Sequence, residues 1–385
     1  MKDTKNGKWV KKRHKRVFAF LRILFKPFTK LRYNYTFEKS DIKGPCLILC
    51  NHSTTLDPFF VSLSFKFPVY FFTSDDLFNI KFVSPIIKYL VAPIPKSKSQ
   101  ADLNAVRSCL KIFKEGGSVG IFPEGNRTLT GAQWEMTDAV ARLVKLSKVP
   151  LVLYNIQGGY GTDPRWGLKI RKGKMNGFVK RIIAPEEYAE MSVEELFEVI
   201  KNELKVYDPD SGIKFKSRRR AEKIERVLYR CPECGAVSSI KSKGAKFSCT
   251  ACKSVWQYTE DLHISPCGKF DGILKWHDWE KSVTDLQVKT DELYFEDKNI
   301  KFYESLRFKR KLKLDGNIVC ADANGITVKG KKSSMRFNLD ELDGFTILGK
   351  RKFNIYCFGK TYQVKGGKTF CPLKYLHLTE SKNYV

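Results

Sequence analysis

In the first half of the chain, apolar residues fall into short unbroken runs. Helix-length stretches with one apolar face separate them. Residues 46–50 (Cys-Leu-Ile-Leu-Cys), 118–122 (Ser-Val-Gly-Ile-Phe) and 149–154 (Val-Pro-Leu-Val-Leu-Tyr) have the length and make-up of strands buried on both faces. Residues 100–115 and 133–147 read as helices; in the second, Ala139, Val140, Leu143 and Leu146 recur at helical spacing. Residues 191–205 read as a further helix, with Ser192 at the N-cap and Glu195 completing a capping box. Strands alternating with helices predict an α/β fold whose sheet is at least partly parallel.

The two ends of the chain follow other patterns. The first 32 residues hold twelve Lys or Arg against one acid, Asp3. Arg22, Lys26 and Lys30 recur every fourth residue, and Val17, Phe18, Leu21, Leu24, Phe25 and Phe28 take the other side of a helix, with Pro27 placed to kink it. That is the pattern of a helix lying in a membrane interface; the alternative is a helix packed on the protein with its basic face in water. Residues 211–229 form a basic stretch centred on Arg218–Arg220 and read as a linker. Beyond a Cys-rich module at 230–262, residues 263–385 carry short β-type runs near Leu293, Ile318, Gly325, Met335, Gly344 and Phe353. Asp315-Gly316 and Asn324-Gly325 mark turns, and residues 372–379 read as a closing helix. Several strands capped by a helix predict a β-rich domain resembling a pleckstrin-homology barrel.

Composition narrows the class. The 385 residues are 42% hydrophobic and 13% aromatic, which argues for folded domains and against general disorder. Seventy Lys and Arg against 41 Asp and Glu give a formal charge of +29. Such an excess points to an anionic partner: nucleic acid, an acidic membrane surface, phosphorylated substrates or an acidic carrier. An odd total of eleven Cys, four of them between Cys231 and Cys252, reads as a reducing compartment with one metal site. No secretory signal is expected at the N-terminus, and no window reaches the length of a spanning helix.

Two loops carry the candidate chemistry. Asn51, His52 and Asp57 directly follow the first apolar run, where α/β proteins build their sites. Asp57 reads as the N-cap of a helix with Pro58 at its first position, so the loop can fold back and set the carboxylate against the imidazole. Asp57 then fixes the tautomer of His52 and raises its basicity. Residues 122–128, Phe-Pro-Glu-Gly-Asn-Arg-Thr, follow the second run. There Gly125 permits close approach to the backbone, Arg127 offers a guanidinium fork suited to phosphate, and Glu124 can orient that Arg or accept from hydroxyls.

Together and in this order, the two loops resemble the motifs of the lysophosphatidic acid acyltransferase, or PlsC-type, glycerolipid acyltransferase family. Asn-His-x4-Asp is matched by Asn51, His52 and Asp57, and Phe-Pro-Glu-Gly-x-Arg-Ser by residues 122–128 with Thr128 in place of Ser. An intermediate motif falls loosely on residues 91–96, ending at Lys96, and the last on Val149-Pro150. The resemblance covers roughly residues 17–210 and implies an acyltransferase domain over 33–210. It implies His52 as general base, and Glu124, Gly125, Arg127 and Lys96 as the site of a phosphorylated acceptor. It further implies acyl-CoA or acyl carrier protein as donor, and a lysophospholipid, 1-acyl-glycerol 3-phosphate, as acceptor, with phosphatidic acid as product. Glycerol 3-phosphate and other lysophospholipids remain alternative acceptors. The expected location is peripheral, on the cytoplasmic face of an anionic membrane.

Cys231-Pro-Glu-Cys234 and Cys249-Thr-Ala-Cys252 are two C-x2-C pairs, with Gly235 allowing a tight turn after the first. Four thiolates so spaced suit one structural Zn²⁺ in a zinc ribbon. Disulfides, a redox pair or an iron–sulfur centre use similar spacing. A ribbon with this charge also allows a nucleic-acid-binding protein, a reading that leaves the two paired motifs unexplained.

Overall fold

In a computed structural model the described residues are 8–74, 92–96, 103–305 and 311–381. They form two units, residues 1–164 with 170–215, and residues 165–169 with 216–385.

The first unit opens with α1 (Lys12–Tyr33) and β1 (Tyr35–Phe37), followed by β2 (Leu47–Cys50), α2 (Asp57–Leu63), β3 (Val69–Ser74) and β4 (Ile94–Lys96). Then come α3 (Leu103–Lys114), β5 (Ser118–Ile121), α4 (Ala139–Ser147), β6 (Leu151–Gln157), the single turn α5 (Gly159–Thr162), β7 (Met175–Ile183), α6 (Pro185–Glu190) and α7 (Val193–Glu203). One seven-stranded sheet has the order β1-β7-β6-β2-β5-β3-β4. Strands β6, β2, β5, β3 and β4 run parallel, and β7 joins β6 antiparallel. Strands β2 and β5 are fully buried, as their unbroken apolar runs require. Ile112, Val144, Leu196 and Ile200 pack over one face, and Phe60, Phe65 and Tyr154 over the other.

Helix α7 starts with the expected capping box: Ser192 Oγ accepts from the Glu195 amide and Glu195 accepts from the Ser192 amide. The helix expected over 133–147 begins only at Ala139, and residues 129–138 form a loop. The basic stripe on α1 is also incomplete. Arg22 turns inward, donating to the Leu63 carbonyl at 3.1 Å, where the end of α2 offers an unpaired C=O to a cation. Phe18, Leu21 and Phe25 face the protein with it, Phe25 stacked on Phe59 at 4.4 Å. The outward side instead exposes Phe20, Ile23, Leu24, Phe28 and Leu31 among Lys26 and Lys30. Among the described residues no helix is long and apolar enough to cross a membrane.

In the second unit, β8 (Ile240–Lys243), β9 (Lys246–Cys249), β10 (Val255–Tyr258) and β11 (Ile264–Ser265) form an antiparallel sheet, followed by α8 (Ile273–Lys289). Two more sheets follow. One is β12 (Tyr294–Lys298), β15 (Ile318–Asp322), β16 (Gly325–Lys329) and β17 (Ser334–Asn338). The other is β14 (Lys311–Leu314), β13 (Lys301–Ser305), β20 (Lys360–Lys365), β19 (Lys352–Cys357) and β18 (Leu342–Leu348). Since β12 pairs with β15 and β13 with β14, one long bent hairpin belongs to both sheets. Helix α9 (Leu373–Ser381) closes the unit and packs on α8. Within the stretch read as a linker, Ile224, Val227, Leu228 and Tyr229 are core residues, and the Ala221 amide donates to Gly244 O at 3.0 Å.

Candidate active site

Strands β2 and β5 are adjacent and parallel, with Leu49 opposite Ile121, so the loops leaving their C-terminal ends emerge side by side. That adjacency brings residues 51–57 and 122–128 together, although some seventy positions separate them in the chain. The Asn51 side chain holds the third strand: its Oδ1 accepts from the Ile156 amide at 2.8 Å and its Nδ2 donates to Ile156 O at 3.0 Å.

His52 Nδ1 lies 2.7 Å from Asp57 Oδ2. The carboxylate only accepts, so Nδ1 carries the proton and Nε2 is the basic nitrogen of the ring. Asp57 is wholly buried and also accepts from the Ser53 amide at 2.7 Å, the Thr54 amide at 2.9 Å and the Thr54 hydroxyl at 2.6 Å. Asp57 is therefore no N-cap. It is the first residue of α2, and its carboxylate points back into the loop and shapes it around the imidazole. The imidazole stacks on Phe122 at 4.3 Å, and Phe122 on Phe71 at 5.6 Å.

The second loop grips the first through its backbone. Glu124 Oε1 accepts the His52 amide at 2.8 Å, Glu124 Oε2 accepts the Trp134 amide at 2.9 Å, and the Thr128 amide donates to His52 O at 2.9 Å. Burial pushes the Glu124 carboxyl up to about 8, against the pull of those two amides. Gly125 has φ +64 and nothing within 4 Å of the place a Cβ would take, so the space before it is open to a ligand. Around Arg127, burial disfavours the cation, while the charges of Asp163 and Asp57 favour it. The Lys96 side chain lies outside the described residues.

A cavity of about 450 Å³ opens beside the end of the 51–57 loop, lined by Phe18, Leu21 and Phe25 of α1, Leu56, Phe59, and Phe71 of β3. Trp134 and Asp163 belong to the site without any spacing signal in the sequence, because each reaches it through a loop.

In the second unit the four Sγ atoms of Cys231, Cys234, Cys249 and Cys252 lie within 4.8 Å of one another. Cys231 and Cys252 are 3.6 Å apart, and Cys234 and Cys249 3.8 Å. Disulfide sulfurs sit about 2.05 Å apart, whereas tetrahedral Zn–S bonds of about 2.3 Å give an edge of about 3.8 Å. The donor set thus fits one tetrahedral soft-ligand metal. The Gly235 amide donates to Cys231 O, and the Ala251 amide approaches Cys249 Sγ at 3.4 Å, as metal-holding knuckle turns require.

Residues 32–156, which include the His52–Asp57 pair and the Arg127 loop, match the family described as Acyltransferase. The match covers 125 of the 385 residues. The chain is 25% identical over 134 residues to a chloroplastic 1-acyl-sn-glycerol-3-phosphate acyltransferase of Brassica napus, an alignment covering 32% of this chain and 39% of that protein. It is 24% identical over 163 residues to the 1-acyl-sn-glycerol-3-phosphate acyltransferase of Bacillus subtilis, covering 42% and 78%. Among solved structures it is similar to the 1-acyl-sn-glycerophosphate acyltransferase PlsC of Thermotoga maritima, with 21% identity, a TM-score of 0.42 and coverage of 50% of this chain and 79% of that one.

Proposed function

We propose that the protein transfers a fatty acyl group from a thioester donor, acyl-CoA or acyl carrier protein, to the free hydroxyl of 1-acyl-glycerol 3-phosphate, giving phosphatidic acid. The observation that carries this reading is the His52–Asp57 pair at 2.7 Å, held beside the Arg127 loop. Nε2 of His52 takes the hydroxyl proton as the oxygen attacks the thioester carbonyl. The C–S bond then breaks, and the departing thiolate receives that proton from the imidazolium. Arg127 holds the acceptor phosphate in a bidentate grip, with Gly125 leaving room for it and Lys96 as a second cation. Glu124 acts through the loop, since both its oxygens already accept backbone amides. The apolar cavity beside Leu56 and Phe71 takes an acyl chain, each buried methylene contributing ~0.8 kcal/mol.

The outward apolar stripe of α1, flanked by Lys26 and Lys30, supports a peripheral enzyme resting on the cytoplasmic face of an anionic membrane. In the second unit Cys231, Cys234, Cys249 and Cys252 hold a structural Zn²⁺, which closes the ribbon. The bent hairpin shared by two sheets and closed by α9 supports a pleckstrin-homology-like module for a headgroup or protein partner. A lipid-product assay tests the enzyme reading, with lysophosphatidic acid, glycerol 3-phosphate and uncharged lysolipids as acceptors and both donor types. Phosphatidic acid formation that disappears in His52→Ala is the expected result, and product unaffected by His52→Ala would sink it.

A further inference from the structure

Trp134 stands in the loop between the Arg127 turn and α4 and makes two contacts. Its indole Nε1–H donates to the carbonyl of Arg127 at 2.9 Å, and its backbone N–H donates to Glu124 Oε2 at 2.9 Å. The other oxygen of Glu124 accepts the amide of His52 at 2.8 Å, and the carbonyl of His52 accepts the amide of Thr128 at 2.9 Å. Thr128 is bonded covalently to Arg127. The contacts therefore close into a ring that runs from His52 through Glu124, Trp134, Arg127 and Thr128 back to His52.

We propose that Trp134 is a positioning residue that sets Arg127, and with it the acceptor's phosphate, at a fixed distance from the base His52. This rests on the reading above, in which His52 takes the proton and Arg127 binds the phosphate. Three features give the ring its rigidity. Glu124 is buried, so water does not compete for its two amide bonds. The indole N–H only donates and the backbone carbonyl only accepts, so their pairing is unambiguous. The Trp134 amide is available because residues 129–138 form a loop; inside a helix it would be bound to the carbonyl four residues back. Placement matters because a misplacement of about 1 Å can cost a reaction about 10²-fold.

The test is steady-state kinetics of the full chain with lysophosphatidic acid and acyl-CoA. Trp134→Phe keeps an aromatic ring but loses the Nε1–H together with the second ring of the indole. The expected result is a roughly tenfold higher KM for lysophosphatidic acid, with the KM for acyl-CoA within about twofold of the native value. The pH profile of kcat keeps its inflection, because the His52–Asp57 pair is untouched. In an Arg127→Ala background, adding Trp134→Phe changes nothing further, since the contact acts through Arg127. Equal rises in both KM values, or effects of the two substitutions that add, would show a merely structural tryptophan and overturn the proposal. Should Trp134→Phe fail to fold, benzothienylalanine at position 134 reads the same contact, having the shape of indole without its donor. If Arg127→Ala alone leaves the acceptor KM unchanged, the phosphate assignment fails and the proposal built on it falls with it.

Discussion

Oδ2 of Asp57 accepts three hydrogen bonds, from His52 Nδ1 at 2.7 Å and from the amides of Ser53 and Thr54. One buried oxygen thus holds both the imidazole and the loop that carries it. The two halves of the pair therefore respond differently to substitution. His52→Ala removes the base and leaves the loop bonds intact, so acyl transfer falls by ~10²–10⁴ while the melting temperature stays close to native. Asp57→Asn lowers turnover by a similar factor and also costs about 2–3 kcal/mol of stability, because an amide replaces an acceptor that faces buried donors. Thermal denaturation beside product assays separates the two. An Asp57→Asn protein as stable as the native one would mean that the carboxylate does not shape the loop.

Glu124 makes stability depend on pH in a direction unusual for a carboxylate. Its folded value of about 8 lies above that of the unfolded chain, so the folded state keeps the proton longer. The stability it contributes is complete below the ordinary carboxylate range and is lost as pH rises towards 8. Glu124→Gln cannot ionise, and its amide nitrogen would face a backbone donor, so it is the less stable protein throughout. The gap in melting temperature between native and Glu124→Gln proteins narrows between pH 5 and pH 8. A gap that widens over this range would place the titrating charge elsewhere.

The parts of this architecture that are legible in the sequence are those in which the signal is local. The strands β2, β5 and β6 are continuous apolar runs because both faces are buried. His52 and Asp57 fall within one loop, and the Cys pairs within two knuckles. By contrast β13, β14 and β20 read Lys-Phe-Tyr-Glu-Ser, Lys-Leu-Lys-Leu and Lys-Thr-Tyr-Gln-Val-Lys, and their frequent Lys hides their strand character. Strand β7 carries Lys180 and Arg181 on a partly exposed path. Helix α8 buries Ile273, Trp276, Glu280 and Thr284 on one face, and the two polar residues there hide that face in the sequence. Trp134 is hidden for the opposite reason: the helical pattern of α4 can be read back across the loop that frees its amide.

The cysteine cluster predicts one zinc per chain, measurable by elemental analysis of the purified protein. Structural zinc sites contribute roughly 10 kcal/mol or more to folding, so a chelator or Cys249→Ser should abolish cooperative melting of the second unit. Cys249 is the informative choice because it is buried and its sulfur also meets Ser239 Oγ at 3.2 Å. Cys267 is exposed and lies outside the four-sulfur group, so Cys267→Ser is the control that keeps both the metal and the transition. A metal-free chain with an unchanged transition would assign the thiols to another purpose.

The outward stripe of α1 allows membrane attachment to be tested without disturbing the fold. Ile23 and Leu31 are 72% and 88% exposed, so Ile23→Asp with Leu31→Asp removes apolar surface that the protein itself does not use. Exposed substitutions of this kind change stability by roughly 0.5 kcal/mol or less. Phe25→Asp is the contrast, since Phe25 stacks on Phe59 at 4.4 Å and its loss should lower the melting temperature. If the stripe enters the acyl boundary, the Ile23/Leu31 double variant sediments poorly with anionic vesicles, and what binding remains is electrostatic. Lys26 and Lys30 each contribute ~1 kcal/mol near an anionic surface, a term that disappears with added salt. Native protein should therefore keep part of its vesicle binding in high salt, and the double variant should keep almost none. Equal retention of both proteins on vesicles at high salt would show that the exposed stripe plays no part in attachment.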